Sequence, residues 1–260
     1  MKRAVVTRPA VEAERWVSAL ERQGWQAQAL PLIEIAPAPD PLPLRRARER
    51  LPEFDALMFV SASAVERFFA DQPWPASPGA LPRCWAPGPA TARALRAAGV
   101  PASVIDQPDA DAVNYDSESL WREVGAQVGD GHRLLIVRGQ TGAQTATAQG
   151  NGREWLAQQC RERGGQVDGC VAYCRRLPGW SERQRELARA AAGDGSIWLL
   201  SSSEALDNLR ALLPRTDWSN ARALATHPRI ARAAAALGFG SVWSSRPALP
   251  DVLLHLESMQ

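Results

Sequence analysis

The sequence predicts an α/β protein of two similar lobes, each with a central parallel sheet flanked by helices. Three observations support this fold class. Short apolar runs alternate with amphipathic segments along the chain, as in parallel strands connected by helices. Stretches of the first half recur in the same order in the second half. The length of 260 residues suffices for two lobes of ordinary size.

The internal repeat has a long period. Ser61, after one apolar run, aligns with Ser201, which lies 140 residues later after a similar run. Ala86 aligns with Ala225, 139 residues later, and an Ala-rich amphipathic segment follows each of them. The N-terminal run AVVTRP likewise resembles the run LLIVRG in the middle of the chain. This period indicates two copies of a domain-sized unit rather than a solenoid of short repeats.

The predicted strands are short apolar runs, and Gly, Pro or Ser bounds most of them. Such runs are typical of parallel strands that are buried on both faces. Strands are predicted at residues 4–7, 25–30, 32–35, 56–60, 83–86, 104–105, 133–137, 167–173, 196–200, 221–225 and 242–243.

The predicted helices have apolar residues three and four positions apart, and several end at Gly. Ser63 with Glu66, and Ser201 with Glu204, have the S-x-x-E spacing of a helix N-terminus. The stretch 141–152 (TGAQTATAQGNG) has no period and predicts a mobile surface loop. Helices are predicted at residues 11–23, 44–51, 63–70, 90–98, 117–127, 181–192, 229–237 and 250–259, with two more around Trp155 and after Ser201.

Composition excludes several classes of function. A net charge of +2 argues against a general nucleic-acid binder. No apolar run approaches the roughly 20 residues that span a bilayer, and the N-terminus lacks a signal-peptide pattern, so we expect no membrane partner and a cytoplasmic location. The four cysteines contain no C-x-x-C pair and the three histidines are far apart, so no metal site is expected. Nucleotide-binding motifs are also missing, and we expect no cofactor.

The candidate ligand-binding residues follow the predicted strands, because ligands of parallel sheets bind outside the carboxyl ends of the strands. These junctions are small, hydroxylated or rich in Gly and Pro, and they place helix N-termini where anions can bind. For each junction the alternative is that Ser or Thr only caps a helix. Two duplicated sets of junctions favour a paired anion-binding cleft. The candidates are Thr7, Arg8, Ser61, Ala62, Ser63, Gly88, Arg138, Gly139, Ser201, Ser202, Ser203 and Thr226.

Several motifs together resemble the uroporphyrinogen-III synthase family over almost the whole chain. They are VVTRP at 5–9, SASAV at 61–65, PGPATARAL at 87–95, IVRG at 136–139 and SSSEAL at 201–206. The resemblance implies two α/β lobes joined by a two-stranded hinge, in which the N-terminal β-α unit packs with the C-terminal half. Lobe 1 is then residues 1–36 with 178–260, lobe 2 is residues 43–173, and the hinge connections are 37–42 and 174–177.

The resemblance also implies an activity. The family closes the linear tetrapyrrole hydroxymethylbilane into uroporphyrinogen III, losing a hydroxyl as water and inverting the last (D) ring. It uses no cofactor, and its substrate carries eight carboxylates. A monomer that contacts the preceding pathway enzyme only transiently is the expected state. The alternative is a non-catalytic, two-lobed regulatory protein that binds an anion or a tetrapyrrole and closes on it.

Two further residues are carried over from the family, and a third position departs from it. Tyr173 matches the tyrosine that assists departure of the hydroxyl; its alternative is a strand tyrosine with a satisfied hydroxyl group. Thr91 matches a substrate-binding threonine; its alternative is a hydroxyl at a helix terminus. The equivalent of Thr91 in the second copy is Ile230, preceded by Arg229, so a cation replaces a hydroxyl group there. Either this carboxylate contact is lost in the second copy, or Arg229 replaces it with a charge-assisted one, and Arg229 is the candidate for it.

Overall fold

A computed structural model of the chain describes residues 2–75, 81–109, 116–142 and 151–259, without the side chains of 151–153. These residues form two compact units. One is Met1–Glu34 with Arg176–Gln260, and the other is Ile35–Arg175. Most of the predicted loop at 141–152 falls at 143–150, outside the described residues.

The elements alternate between strand and helix in chain order. The strands are β1 (Arg3–Val6), β2 (Gln26–Ala29), β3 (Glu34–Pro37), β4 (Ala56–Phe59), β5 (Arg83–Trp85), β6 (Ile105–Asp106), β7 (Arg133–Thr141), β8 (Gln166–Arg176), β9 (Ile197–Leu200), β10 (Arg222–Ala225) and β11 (Ser241–Ser244). The α-helices are α1 (Ala10–Arg22), α2 (Leu42–Glu49), α3 (Ala62–Phe69), α4 (Pro89–Ala97), α5 (Ser117–Val124), α6 (Asn151–Glu162), α7 (Glu182–Ala191), α8 (Ser203–Leu212), α9 (Pro228–Leu237) and α10 (Leu249–Ser258).

Each unit contains one sheet, which confirms the predicted α/β class. The first has the order β11-β10-β9-β1-β2, and its strands are parallel. The second has the order β3-β8-β7-β4-β5-β6, and β4 to β8 pair in parallel. The run β6-β5-β4-β7-β8 thus repeats the first sheet. In each five-stranded run, two strands come from one copy of the sequence repeat and three from the other, and β3 is an additional edge strand of the second sheet.

Both faces of the second sheet are buried at β4, which explains why this strand is a continuous apolar run. Leu57 and Phe59 pack into the core on one face, with residues of α2, α3 and α4. Ala56 and Met58 pack into the core on the other face, with residues of α5 and α6. In the first unit, α1 buries Trp16 and other residues of its apolar face against the sheet.

The strands β7 and β8 extend further than predicted. β7 continues through Arg138 and Gly139, so these residues lie in a strand and the prediction of a strand-to-helix junction there is wrong. The reason is tertiary, because β8 runs alongside and pairs Gly139 with Tyr173 after a register shift between Arg138 and Gly139. Pro37 and residues 174–176, predicted as parts of the hinge connections, are strand residues.

Two predicted helix caps are also wrong. Ser61, not Ser63, caps α3, because its Oγ accepts a hydrogen bond from the Ala64 N–H at 3.2 Å. At α8 the N-cap is Ser202, without a side-chain bond, rather than Ser201. None of the described helices has the length and apolar character required to span a bilayer.

Candidate functional site

Tyr173 and Gly139 face each other across β7 and β8. The side chain of Tyr173 is only 3% exposed. A Cβ atom at Gly139 would lie 2.3 Å from Cζ of the Tyr173 ring, which is closer than real Cβ contacts. The ring therefore occupies the space that a side chain at position 139 would need. This contact shows why glycine ends the IVRG motif within a strand, where glycine is otherwise unfavourable.

The Tyr173 hydroxyl group is connected to a helix N-terminus through Ser61. Its Oη lies 3.1 Å from Ser61 Oγ, and either atom can donate. Ser61 Oγ also accepts the bond from Ala64 N–H at the start of α3. If Ser61 donates to Tyr173, the phenolic proton stays available for a third oxygen atom. The positive end of α3 also stabilises negative charge that develops along this chain of hydrogen bonds.

The remaining candidates of this unit are divided between the two faces of the sheet. Ala62 and Ser63 are the first residues of α3, so they follow Ser61 directly. Gly88 is the N-cap of α4, and Thr91 is buried in its first turn. Arg138 borders a cavity with Ile136 and Trp155. Ile136 and Trp155 belong to the core on the other face from Tyr173. The structure therefore places Ser61 next to Tyr173, whereas Arg138 lies beside residues of the opposite face of the sheet.

In the other unit, Arg8 follows β1, and its side chain makes two hydrogen bonds and a cation–π contact. Its guanidinium group donates to Glu12 Oε1 at 2.9 Å and to the Pro247 carbonyl at 3.3 Å. It also lies over the Trp16 ring, 4.0 Å from the ring centroid. Burial lowers the pKa of Arg8, whereas the Glu12 carboxylate opposes this shift. Arg8 remains charged, since arginine keeps its proton in proteins.

Sequence reasoning missed Glu12 and Trp16 as the residues that hold Arg8. The i, i+4 spacing of Arg8 and Glu12 was a signal for their ion pair. Thr7, by contrast, is buried and donates from Oγ1 to the Leu199 carbonyl at 2.6 Å. This bond uses the hydroxyl proton, so the Thr7 side chain has no proton to donate to a carboxylate.

The hydroxyl residues after β9 differ in their bonding. Ser201 and Ser202 precede α8, and Ser203 is its first residue. Ser203 Oγ is buried and has no hydrogen-bond partner among the described residues. A buried hydroxyl group without a partner is unfavourable, and a ligand oxygen would satisfy it.

The start of α9 presents a cation. Thr226 follows β10, and its N–H donates to the Leu200 carbonyl at 3.0 Å. His227, which sequence reasoning missed, caps the helix through Nδ1 by accepting from the Arg229 N–H at 3.1 Å. The Arg229 side chain is exposed, whereas Ile230 is buried in the core. The position at which the resemblance expects a threonine is thus apolar and buried, and a charged residue lies one position earlier.

No metal-binding group is evident in the part of the chain that the structure describes, where no three His, Cys, Asp or Glu residues cluster. All four cysteines are free and buried. Burial raises the pKa of the Cys170 thiol to about 11, so this group stays protonated near neutral pH.

Comparison with known proteins identifies the family. The model of the family described as uroporphyrinogen-III synthase HemD matches residues 14–253. The chain belongs to the uroporphyrinogen-III synthase family. This membership confirms the resemblance drawn from the sequence motifs.

A curated relative in the uroporphyrinogen-III synthase family comes from a cyanobacterium. The uroporphyrinogen-III synthase of Synechococcus elongatus is 31% identical over 182 residues, which cover 68% of this chain. The match spans 62% of the length of that relative.

Solved structures of uroporphyrinogen-III synthases share the fold. The Helicobacter pylori enzyme is similar with a TM-score of 0.56 and 16% identity, over 100% of both chains. A mutant of the Thermus thermophilus enzyme has a TM-score of 0.50 and 17% identity, over 99% of this chain and 98% of its own. At these identities the similarity supports the α/β fold alone.

Proposed function

We propose that this chain is a uroporphyrinogen-III synthase, which cyclises hydroxymethylbilane to uroporphyrinogen III with loss of water and inversion of the D ring. Family membership supports the reaction. The observation that carries the chemistry is the pair of hydroxyl groups of Tyr173 and Ser61, 3.1 Å apart beside the N-terminus of α3. This pair can deliver a proton without a metal ion or a cofactor.

In the proposed reaction, Tyr173 acts as the general acid. The carbon–oxygen bond of the hydroxymethyl group breaks, and the departing oxygen takes the phenolic proton and leaves as water. Ser61 donates to the phenolate that forms, and the N-terminus of α3 stabilises its charge. The cationic carbon then bonds to the α-carbon of the last pyrrole that already carries the methylene bridge to the third ring. The bond between that α-carbon and the bridge breaks, and the bridge bonds to the free α-carbon of the same pyrrole, which inverts this ring. The proton that this pyrrole loses returns Tyr173 to its neutral form.

We propose that the substrate carboxylates bind at the carboxyl ends of the strands in each unit. In Ile35–Arg175 the binding groups are the backbone N–H groups at the starts of α3 and α4. In the other unit they are Arg8, Arg229 and the Ser203 hydroxyl group, and this role is supported by the buried Ser203 Oγ, which finds no hydrogen-bond partner within the described ranges. Guanidinium groups suit carboxylates because both are planar and bidentate.

Further parts of the proposal concern the whole protein. We propose that it acts as a cytoplasmic monomer, that it contacts the preceding pathway enzyme only transiently, and that residues 37–42 and 174–177 connect the lobes. Sedimentation velocity with and without the preceding enzyme tests the monomeric state and the transient contact.

A product assay tests the proposed activity. The protein is incubated with enzymatically generated hydroxymethylbilane, and the uroporphyrin isomers are separated after oxidation. We expect the type III isomer to exceed the spontaneous type I isomer, and heat-denatured protein serves as the control. If only type I forms in both samples, the proposal fails and the non-catalytic alternative is favoured.

A further inference from the structure

An exposed segment of β8 is the basis of this inference. β8 has eleven residues, whereas its outer neighbour β3 has four, so β3 can pair with only part of β8. Asp168 and Gly169 are both exposed. The surface of a glycine is mainly backbone, and a Cβ atom at Gly169 would have no atom within 4 Å. The backbone of β8 is therefore open to solvent at this point.

The strand pairing identifies which backbone groups lie at this open edge. The Gln166 N–H donates to the His132 carbonyl at 2.7 Å, so Gln166 directs its backbone groups toward β7. Successive residues in a strand direct their N–H and C=O groups to opposite sides. The groups of Val167 and Gly169 therefore point away from β7. They form a row of donors and acceptors that an added strand can use.

A cavity borders the open edge on each face of the sheet. Asp168 and Gly169 line both cavities. The larger, of about 520 Å³, lies against α6 and includes Trp155 and Arg161. The smaller, of about 270 Å³, lies against α2 and includes Arg46. Side chains of an added strand alternate between the two faces, so both cavities would receive them.

The charges around the two cavities favour an acidic ligand. The arginines outnumber the carboxylates, and each face of the sheet contributes two of them. The arginines are Arg138, Arg161, Arg46 and Arg50, and the carboxylates are Glu154 and Asp168. Arg50 already pairs with Glu53, so Arg46 and Arg161 are the more useful test positions.

We propose that the β8 edge at Val167–Gly169 binds an extended acidic segment of a partner protein by strand addition. Main-chain hydrogen bonds to Val167 and Gly169 provide the pairing, and the two cavities select alternate side chains. Arg46 and Arg161 bind carboxylates of that segment, one on each face. This interaction is separate from the proposed reaction at Tyr173.

A fluorescently labelled peptide of sequence EEVVEEVV, blocked at both ends, is a direct probe, because it presents both residue types to both faces. We expect it to bind about tenfold or more tightly than KKVVKKVV and than an EEVVEEVV peptide with alternate backbone nitrogens methylated. Fluorescence anisotropy with the full chain measures these affinities. Equal binding of the lysine or the N-methylated peptide would overturn the proposal.

Two variants locate the binding site. Gly169→Pro removes an outward N–H group at an edge position where proline is tolerated, and we expect about tenfold weaker peptide binding. The double variant Arg46→Glu with Arg161→Glu should weaken peptide binding at least as much. The control is Arg210→Glu with Arg215→Glu in the other unit, which should leave peptide binding unchanged. Uroporphyrinogen formation should be unchanged in all of them.

The following outcomes test the proposed strand addition at the β8 edge. Parental affinity in both site variants overturns the proposal, and if Gly169→Pro does not fold, the double arginine variant decides alone. Sedimentation velocity is measured in parallel. Self-association of the parent that Gly169→Pro abolishes would show that a second copy of the chain occupies the edge, and would also overturn the proposal.

Discussion

At the scale of single residues, Tyr173 is the group on which the proposed chemistry depends most. Tyr173→Phe removes the proton donor but keeps the ring that packs on Gly139. We expect kcat for bilane cyclisation to fall about tenfold or more, because general acids typically contribute 10²- to 10⁴-fold. Steady-state kinetics and circular dichroism measure rate and fold. Parental kcat in this variant would remove Tyr173 from the mechanism.

Gly139 can be tested with a control in the neighbouring strand. Gly139→Ala places a methyl group into the Tyr173 ring, so we expect a loss of about 1–3 kcal/mol in the free energy of unfolding. Gly169→Ala, where a Cβ atom meets nothing, should change it by less than about 0.5 kcal/mol. Urea unfolding compares the two. Similar values for both variants would contradict the close packing of ring and backbone.

His132 predicts how stability depends on pH. Burial lowers the pKa of His132 below its ordinary value of 6.5, although Asp55 opposes this shift. The ring stacks on Trp85, and its buried Nε2 has no partner among the described residues. The folded state therefore disfavours the imidazolium form. The stability that His132 contributes is fully present above pH 6.5 and is lost as the pH falls toward its folded pKa.

The measurement is the free energy of unfolding at pH 7.5 and at pH 5.5. His132→Phe keeps a stacked ring but cannot titrate, so we expect a smaller difference between the two values than in the parent. An unchanged difference would assign the pH dependence to other groups.

The residue scale also shows what the sequence can and cannot predict. The hydroxyl groups after the strands were predictable, because the strand-to-helix pattern places them at the carboxyl ends of the strands. The contact of Gly139 with Tyr173 was not predictable, since it depends on a register shift that pairing with a distant strand imposes. The contact between the Arg8 guanidinium group and the Trp16 ring was not predictable either, because it also depends on tertiary packing.

At the scale of elements, helix caps provide a test of local geometry. Ser181 and Gln184 form a capping box at α7, whereas Ser202 caps α8 without a side-chain bond. We expect Ser181→Ala to lower the free energy of unfolding by about 1 kcal/mol. Ser202→Ala, in the same unit, should change it by less than about 0.5 kcal/mol. A larger loss for Ser202→Ala would contradict the described cap.

Most elements were predictable because local signals and tertiary pairing agree. The apolar runs at β1, β4 and β9 are strands close to their predicted bounds. β7 and β8 differ because each extends beyond its apolar run, where the other strand supplies hydrogen-bond partners. Polar residues such as Gln140 therefore join a strand that periodicity alone ends earlier.

At the scale of the whole molecule, the unit Ile35–Arg175 is one continuous segment with its own sheet and cores on both faces. We expect a fragment of residues 35–175 to fold and to unfold cooperatively in urea. A fragment of residues 35–141 lacks β8. We expect it not to unfold cooperatively, because β7 then loses a pairing partner along its full length. Circular dichroism distinguishes them, and cooperative unfolding of the shorter fragment would contradict this expectation.

The mixed origin of each sheet has an evolutionary consequence. β1 and β2, from the first copy of the repeat, complete a sheet with β9–β11 of the second, and β7 and β8 of the second complete the sheet of the first. A single copy of the repeat contains an equivalent of all five of these strands, so an ancestor with one copy held the strands of a whole sheet within one short polypeptide. In the present chain the two copies have exchanged their β-α-β segments, so neither half of the sequence contains a complete sheet, and a cut at the midpoint of the chain would divide both.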